Sequence, residues 1–212
     1  MKRVEDPYSY FRHMDPRSVH KRLLTSYTEL LLGSGSPRRR QLLEGIGWPI
    51  QVLRKDVPEV PPGHLQGAEV ALHLAEFKAM AFDEALAAGQ LLLTADTIVW
   101  QDGHVLGKPV DRADAVRILD RLQGNRHQVF TGVCLSLLGK RYCFSVETTV
   151  TFRPLSSSEI ETYIDEYQPY DKAGAYGAQE CLPKNMNPCS TEERAFLDHL
   201  GKPRLFEESL AA

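Results

Sequence analysis

The segment Gly33-Ser34-Gly35-Ser36-Pro37-Arg38-Arg39-Arg40 places three guanidinium groups behind a loop of small residues. Small residues let backbone N–H groups come close to an anion, and an arginine fork grips phosphate oxygens two at a time. A helix starting at Pro37 would add a dipole that favours negative charge. The lysine-serine ending of a Walker loop and the G-x-G-x-x-G spacing are both missing, so the expected ligand is a phosphate held chiefly by arginine. Taken alone, the same residues also suit an ordinary loop leading into a basic, solvated helix face.

Asp96, in Thr94-Ala95-Asp96-Thr97, is an acid set in an apolar strand. A carboxylate in that setting must be paired, solvated or bound to metal. Beside a phosphate it can take a proton from water or hold a divalent cation, and bonded to backbone N–H groups it would be merely structural. Lys108, in Gly107-Lys108-Pro109, is displayed where proline stops a strand and can meet phosphate as a point charge. Lys78 has the same capacity or snorkels from the edge of an apolar helix face. Residues 171–179, Asp-Lys-Ala-Gly-Ala-Tyr-Gly-Ala-Gln, form a small-residue loop ending in Gln179, whose amide can read a nucleobase edge through donor and acceptor together. Glu59 and Glu147 become metal or water ligands if the fold brings them to Asp96. His127 has no partner at metal-ligand spacing and reads as structural.

The elements that must position these residues are legible in outline. Leu30-Leu31-Leu32 reads as a strand, followed by a helix through Leu42, Leu43 and Ile46 that stops at Gly45 or Gly47. Ile50 to Arg54 is a second strand. Val70, Leu74, Phe77 and Ala81 mark a helix between Ala68 and Ala88. Leu91 to Val99 is a buried strand turning at Asp102-Gly103, and Asp111 caps a helix that Gly124 ends. A long hairpin runs from Gln128 to Phe152 with its turn at Gly139-Lys140. Ser156 and Glu159 form a capping box, and Ser190 and Glu193 open a last short helix. Helices alternating with strands, plus hairpins, predict an α/β fold with a mixed central β-sheet flanked by helices, two-lobed with a cleft.

The chain has 212 residues and a formal charge of −3, which argues against a nucleic-acid coat protein and for a small anionic ligand. No apolar run is long enough to span a membrane, and no signal-peptide core is present. Cys134, Cys143, Cys181 and Cys189 have neither C-x-x-C nor zinc spacing, so reduced thiols and a cytoplasmic location are expected. Residues 1–27 read as an N-terminal extension and residues 28–212 as one domain.

In order along the chain, Ser34 to Arg39, Glu59, Lys78, Ala95-Asp96-Thr97, Gly107-Lys108-Pro109, Thr131-Gly132-Val133, Glu147 and Asp171 to Gln179 resemble the Maf family of nucleoside triphosphate pyrophosphatases, once described as septum-formation inhibitors. The resemblance implies an architecture like that of inosine triphosphatases and hydrolysis of a nucleoside triphosphate to a monophosphate plus pyrophosphate, with Mg2+ or Mn2+. It makes Asp96 the general base. Ser34, Arg38, Arg39, Lys78, Thr97, Lys108 and Gln179 would bind substrate, and Glu59, Asp96 and Glu147 the metal. Arg38, Thr97 and Gln179 match the branch that acts on dTTP and UTP. The implied partner is a small nucleotide, not a nucleic-acid polymer or a membrane, and a homodimer is compatible with the chain. A purine-directed pyrophosphatase of ITP/XTP type and a non-catalytic nucleotide-binding regulator of septum formation remain open as alternatives. After Gln179 the chain departs from the family pattern, with Glu180-Cys181-Leu182-Pro183-Lys184 where relatives carry a glycine-rich segment.

Overall fold

The computed structural model describes residues 27, 29–45, 50–83, 86–137 and 140–177. Expectations for the N-terminal extension, the Gly47 stop, the Gly139 turn, Gln179 and the Ser190 helix lie outside the described residues.

The order of elements is β1 (Glu29–Gly33), α1 (Pro37–Gly45), β2 (Ile50–Leu53), α2 (Ala68–Met80), β3 (Gln90–Gln101), β4 (His104–Leu106), α3 (Arg112–Leu122), β5 (Arg126–Leu137), β6 (Lys140–Thr151) and α4 (Ser157–Tyr167), then a 3-10 turn at Ala173–Ala175. The strands form one mixed sheet in the order β2-β1-β3-β5-β6. β1 runs parallel to both β2 and β3, while β3, β5 and β6 are antiparallel neighbours.

The long strand β3 organises the molecule. Its first residues, Gln90 to Leu93, pair with β1, and its last, Val99 to Gln101, pair with β4 on that same side. On the other side β5 accompanies it from Leu92 to Trp100. The sheet therefore forks at Thr94 to Ile98, where β1 has ended and β4 has not begun. In open α/β sheets, ligands collect outside the carboxyl ends of parallel strands, which is where this fork lies.

Strand alternation sends even-numbered and odd-numbered β3 side chains to opposite faces. α2 covers the even face. Val70, Ala71 and Leu74 pack on Ile98 and Phe130, while Ala75 and Ala79 meet Leu31, Leu92, Phe82 and Cys134. The buried Thr94 hydroxyl donates to the Ala75 carbonyl at 2.7 Å. The helix sits very close to the sheet at Gly132, where an added Cβ would lie 2.2 Å from the Ala71 carbonyl oxygen. α3, α4 and the 3-10 turn cover the odd face, with Val99, Val150, Phe152, Leu119, Leu122 and Ile164 as their core.

Two details of α2 differ from the sequence reading. It stops at Met80 rather than near Ala88, and Phe77 is 39% exposed instead of buried. The buried stripe is Val70, Ala71, Leu74, Ala75 and Ala79. Small alanines, not the large aromatic, face the sheet because close backbone approach leaves no room for a ring.

Local signals fix the remaining ends. Asp102 (φ 49) and Gly103 (φ 79) both take left-handed conformations at the β3–β4 hairpin, as a type I′ turn demands. The Asp111 side chain caps α3 by accepting from the Asp114 N–H at 2.8 Å. Ser156 and Glu159 form the reciprocal capping box of α4. Such a cap stabilises a helix by about 1 kcal/mol.

The hydrogen bond from Arg153, with those from Ser156, holds the Glu159 carboxyl down at about 2 against an ordinary 4.5. A depressed carboxyl stabilises the fold above pH 4.5 and loses that contribution as pH falls toward 2. In Glu159→Gln, the fall in melting temperature between those pH values is expected to be shallower than in wild type. Parallel curves would show that the Arg153–Glu159 pair does not contribute.

Candidate active site

Four segments meet at the fork. β1 delivers the loop Ser34 to Ser36 and the start of α1, the chain between β2 and α2 delivers Glu59, α2 delivers Lys78, and β3 itself supplies Asp96 and Thr97. Polar side chains are tolerated there because β3 has neither β1 nor β4 beside it at those positions.

Arg39 ties the fork together. Its Nη1 donates to Ser34 Oγ at 3.1 Å, and its Nη2 donates to Thr97 Oγ1 at 3.3 Å. Nη2 also lies 4.0 Å from Asp96 Oδ1. Burial pulls the guanidinium below its ordinary value, against the opposing charges of Asp96 and Glu59. Ser34 Oγ additionally accepts from the Ser36 backbone N–H at 3.2 Å, shaping the loop before the helix. A Cβ at Gly35 would meet nothing within 4 Å, so the loop presents open space to a ligand.

On the even face, Lys78 Nζ donates to Asp96 Oδ1 at 3.0 Å and to Glu59 Oε1 at 2.7 Å. Lys108 Nζ approaches Glu59 Oε2 at 3.8 Å. Half-burial pushes the Glu59 carboxyl up, but the Lys78 hydrogen bond and the charges of Lys78, Lys108 and Arg39 outweigh it and hold it below its ordinary value. Asp96 Oδ2 has no hydrogen-bond partner among the described residues and is the oxygen available to a water molecule.

On the odd face, Thr97 Oγ1 lies 3.1 Å from Thr131 Oγ1, its register partner on β5. The loop Asp171–Gly177 closes over that face. Gly174, at φ 72, donates its N–H to the Gly107 carbonyl at 3.0 Å, and a Cβ there would strike Val99 at 2.8 Å. Tyr176 Oη meets the buried His127 Nε2 at 2.7 Å, and the Gly177 N–H donates to Tyr163 Oη at 3.2 Å. His127 is thus structural, as its isolation in sequence suggests. Half-buried Arg38 contributes to the field that keeps the Asp171 carboxyl below its ordinary value, a shift dominated by the Lys172 hydrogen bond.

The fold therefore brings Ser34, Arg39, Glu59, Lys78, Asp96, Thr97 and Lys108 into one hydrogen-bonded and ion-paired cluster, with Arg38 at its border. It does not bring Glu147 in. That residue lies on β6, pairs with Phe130 of β5 and accepts from Gln128 Nε2 at 3.3 Å. Among the described residues, no group of three His, Cys, Asp or Glu side chains is arranged to hold a metal: Glu59 and Asp96 meet at Lys78, and Glu147 lies apart on β6. Sequence spacing missed this because Glu147 sits on the far hairpin strand, where the β5–β6 register alone decides its neighbours. Thr131 went the other way. Its motif is legible in the sequence without a role, which comes from its place opposite Thr97 in the strand register.

Arginine and lysine around one carboxylate, beyond the carboxyl end of a parallel strand pair, form an arrangement that can bind phosphate and accept a proton in an α/β protein. The family model described as Maf-like protein matches residues 29–186, and the chain belongs to the Maf family. A Bacteroides fragilis protein named dTTP/UTP pyrophosphatase is 47% identical over 157 residues, covering 73% of this chain and 80% of its own. A Bacteroides thetaiotaomicron protein of the same name is 48% identical over 156 residues, with the same coverage. A solved structure from Mycobacterium abscessus, titled nucleoside-triphosphatase / dITP/XTP pyrophosphatase, aligns over 84% of this chain and 100% of its own at 14% identity. Its TM-score is 0.44, a distance at which neither fold nor substrate transfers. No helix among the described residues is long and apolar enough to cross a membrane.

Proposed function

We propose that this chain hydrolyses dTTP and UTP to the nucleoside monophosphate and pyrophosphate. The observation that carries this reading is Asp96, with one oxygen on Lys78 and the other open, at the centre of a cationic fork. Its relatives' activity, dTTP/UTP pyrophosphatase, supports the same reading.

In the reaction, water adds to phosphorus and the bond between the α- and β-phosphoryl groups breaks, releasing pyrophosphate whole. Asp96 Oδ2 accepts the water proton, while Lys78 fixes the carboxylate through Oδ1. Arg39, Ser34 and the N-terminus of α1 bind the phosphates, and Arg38 and Lys108 add positive charge at the rim. Gln179 is assigned to the base, where its amide complements the O4 and N3–H edge of uracil or thymine.

Glu59 and Asp96 fit a divalent cation. Both present a carboxylate oxygen to the same ammonium group, and Mg2+ is commonly held by one or two carboxylates plus substrate phosphates. When bound, Mg2+ or Mn2+ supplies charge neutralisation for the triphosphate. Among the described residues Cys134 and Cys143 are free thiols, which fits a cytoplasmic setting for this activity.

Pyrophosphate release from dTTP, UTP, CTP, ITP and XTP with manganese tests the assignment. Turnover of dTTP and UTP should dominate. Preference for ITP or XTP would move the protein to the purine-directed class, and no release from any nucleotide would make it a binding regulator. Arg39→Lys should raise KM for UTP about tenfold, since an ammonium cannot span Ser34 and Thr97 as the guanidinium fork does.

A further inference from the structure

The motif Thr131-Gly132-Val133 contains one polar side chain that neither the packing nor the proton transfer has used. Gly132 is accounted for by the approach of α2. Thr131 is not, and it is half-buried one strand away from the fork. We propose that Thr131 is a positioning residue that makes the Thr97 hydroxyl a hydrogen-bond donor toward an acceptor oxygen of the bound nucleotide. This rests on the assignment of the fork as a nucleotide site.

The argument is one of counting protons and lone pairs. A threonine hydroxyl has one proton to give and two lone pairs to offer. Arg39 Nη2, a guanidinium nitrogen that can only donate, fills one lone pair of Thr97 Oγ1 at 3.3 Å. Thr131 Oγ1 stands at 3.1 Å and can fill the second. With both lone pairs occupied, the Thr97 proton has only the cleft left to point into. In the opposite orientation Thr97 spends its proton on Thr131 and shows the ligand a lone pair. Phosphate oxygens and the carbonyl oxygens of uracil and thymine are acceptors, so a lone pair there would repel them. A bound nucleotide therefore selects the order Thr131 to Thr97 to ligand. Nothing competes for the Thr131 proton, since its hydroxyl has no other hydrogen-bond partner among the described residues. Donation in series also polarises each successive bond. Thr97 itself is held by register, because Thr97 and Thr131 are direct partners on the face over which the Asp171–Gly177 loop closes.

The test compares wild type, Thr131→Val and Thr131→Ser by steady-state hydrolysis of UTP and by inhibition with inorganic triphosphate, alongside thermal unfolding. Thr131→Val should raise KM for UTP roughly tenfold, the effect of one unmade hydrogen bond, with kcat within about threefold. Thr131→Ser, which keeps the hydroxyl, should restore KM to within about threefold of wild type. If Thr131→Val weakens inhibition by inorganic triphosphate in parallel, the acceptor is a phosphate oxygen; if that inhibition is unchanged, it is a base carbonyl. Should the valine protein not fold, Thr131→Ala carries the same expectation. An unchanged KM, a loss confined to kcat, or a serine variant as impaired as valine would overturn the assignment. Failure of the wild type to cleave either dTTP or UTP would instead overturn the nucleotide reading, so the two failures are distinguishable.

Discussion

Asp96→Asn is expected to lower kcat for UTP by about three orders of magnitude while leaving nucleotide affinity equal or improved, within the range general-base catalysis commands. Asparagine keeps the shape of the side chain, and its carbonyl oxygen can still accept from Lys78 Nζ, now at 3.0 Å from Asp96 Oδ1. What it cannot do is accept the proton of an attacking water. The sign of the binding effect follows from charge. Removing one carboxylate from beside Lys78 and Arg39 leaves the fork more positive toward a polyanion. Pyrophosphate release and calorimetric UTP binding, measured on the same preparation with metal, separate the two quantities. A kcat within tenfold of wild type would remove Asp96 from the role of base. Weakened binding would show instead that the metal contact of Asp96 outweighs its repulsion of phosphate.

Gly132→Ala is expected to be the most destabilising single-methyl change in the sheet. The new Cβ would lie 2.2 Å from the Ala71 carbonyl oxygen, 2.4 Å from its carbon and 2.7 Å from the Leu72 nitrogen. All three are backbone atoms of α2, so no side-chain rotation relieves the clash and the helix itself must move. Overpacking typically costs 1–3 kcal/mol, and this rigid contact should reach about 3 kcal/mol or more. For a domain of this size that corresponds to roughly a 6–12 °C fall in melting temperature. Because α2 also carries Lys78, the surviving folded protein should lose activity beyond its loss of stability. Ala71→Gly should not rescue it, since the offending atoms belong to the main chain. A melting temperature within 2 °C of wild type, on the order of the shift that ~0.5 kcal/mol gives, would mean that α2 is less tightly seated than described.

The parts of this architecture written locally were readable from the sequence. Asp102-Gly103, Asp111, Gly124 and the Ser156–Glu159 box each encode their function within a few residues, and each lies at a turn or helix end as expected. The ordered series of motifs also picks out the Ser34–Arg39 loop and Asp96, which the fold brings into one cluster. What failed required tertiary information. The buried face of α2 was misread because hydrophobic periodicity weights Phe77 above alanine, whereas the close seat at Gly132 selects small side chains. Residue type and the family resemblance together group Glu147 with Asp96, but the β5–β6 register sets it against Phe130. The fork at Thr94 to Ile98 was likewise invisible, since it depends on where β1 stops relative to β4 along a shared neighbour. Thr131 was visible only as a letter in a motif until that register placed its hydroxyl against Thr97.

Asp96 and Thr97 are consecutive, yet the pleat of β3 turns one toward Lys78 and Glu59 and the other toward Thr131 and the Asp171–Gly177 loop. One peptide unit thus separates two compartments, linked by Arg39, whose Nη2 reaches both Thr97 and Asp96. On the proposed reading, substitutions around Thr97 would act first on nucleotide choice and changes around Lys78 first on the carboxylate assigned to take the proton. The same arrangement makes the fork intolerant of any insertion or deletion in β3, because a slip of one residue would exchange the occupants of both compartments at once.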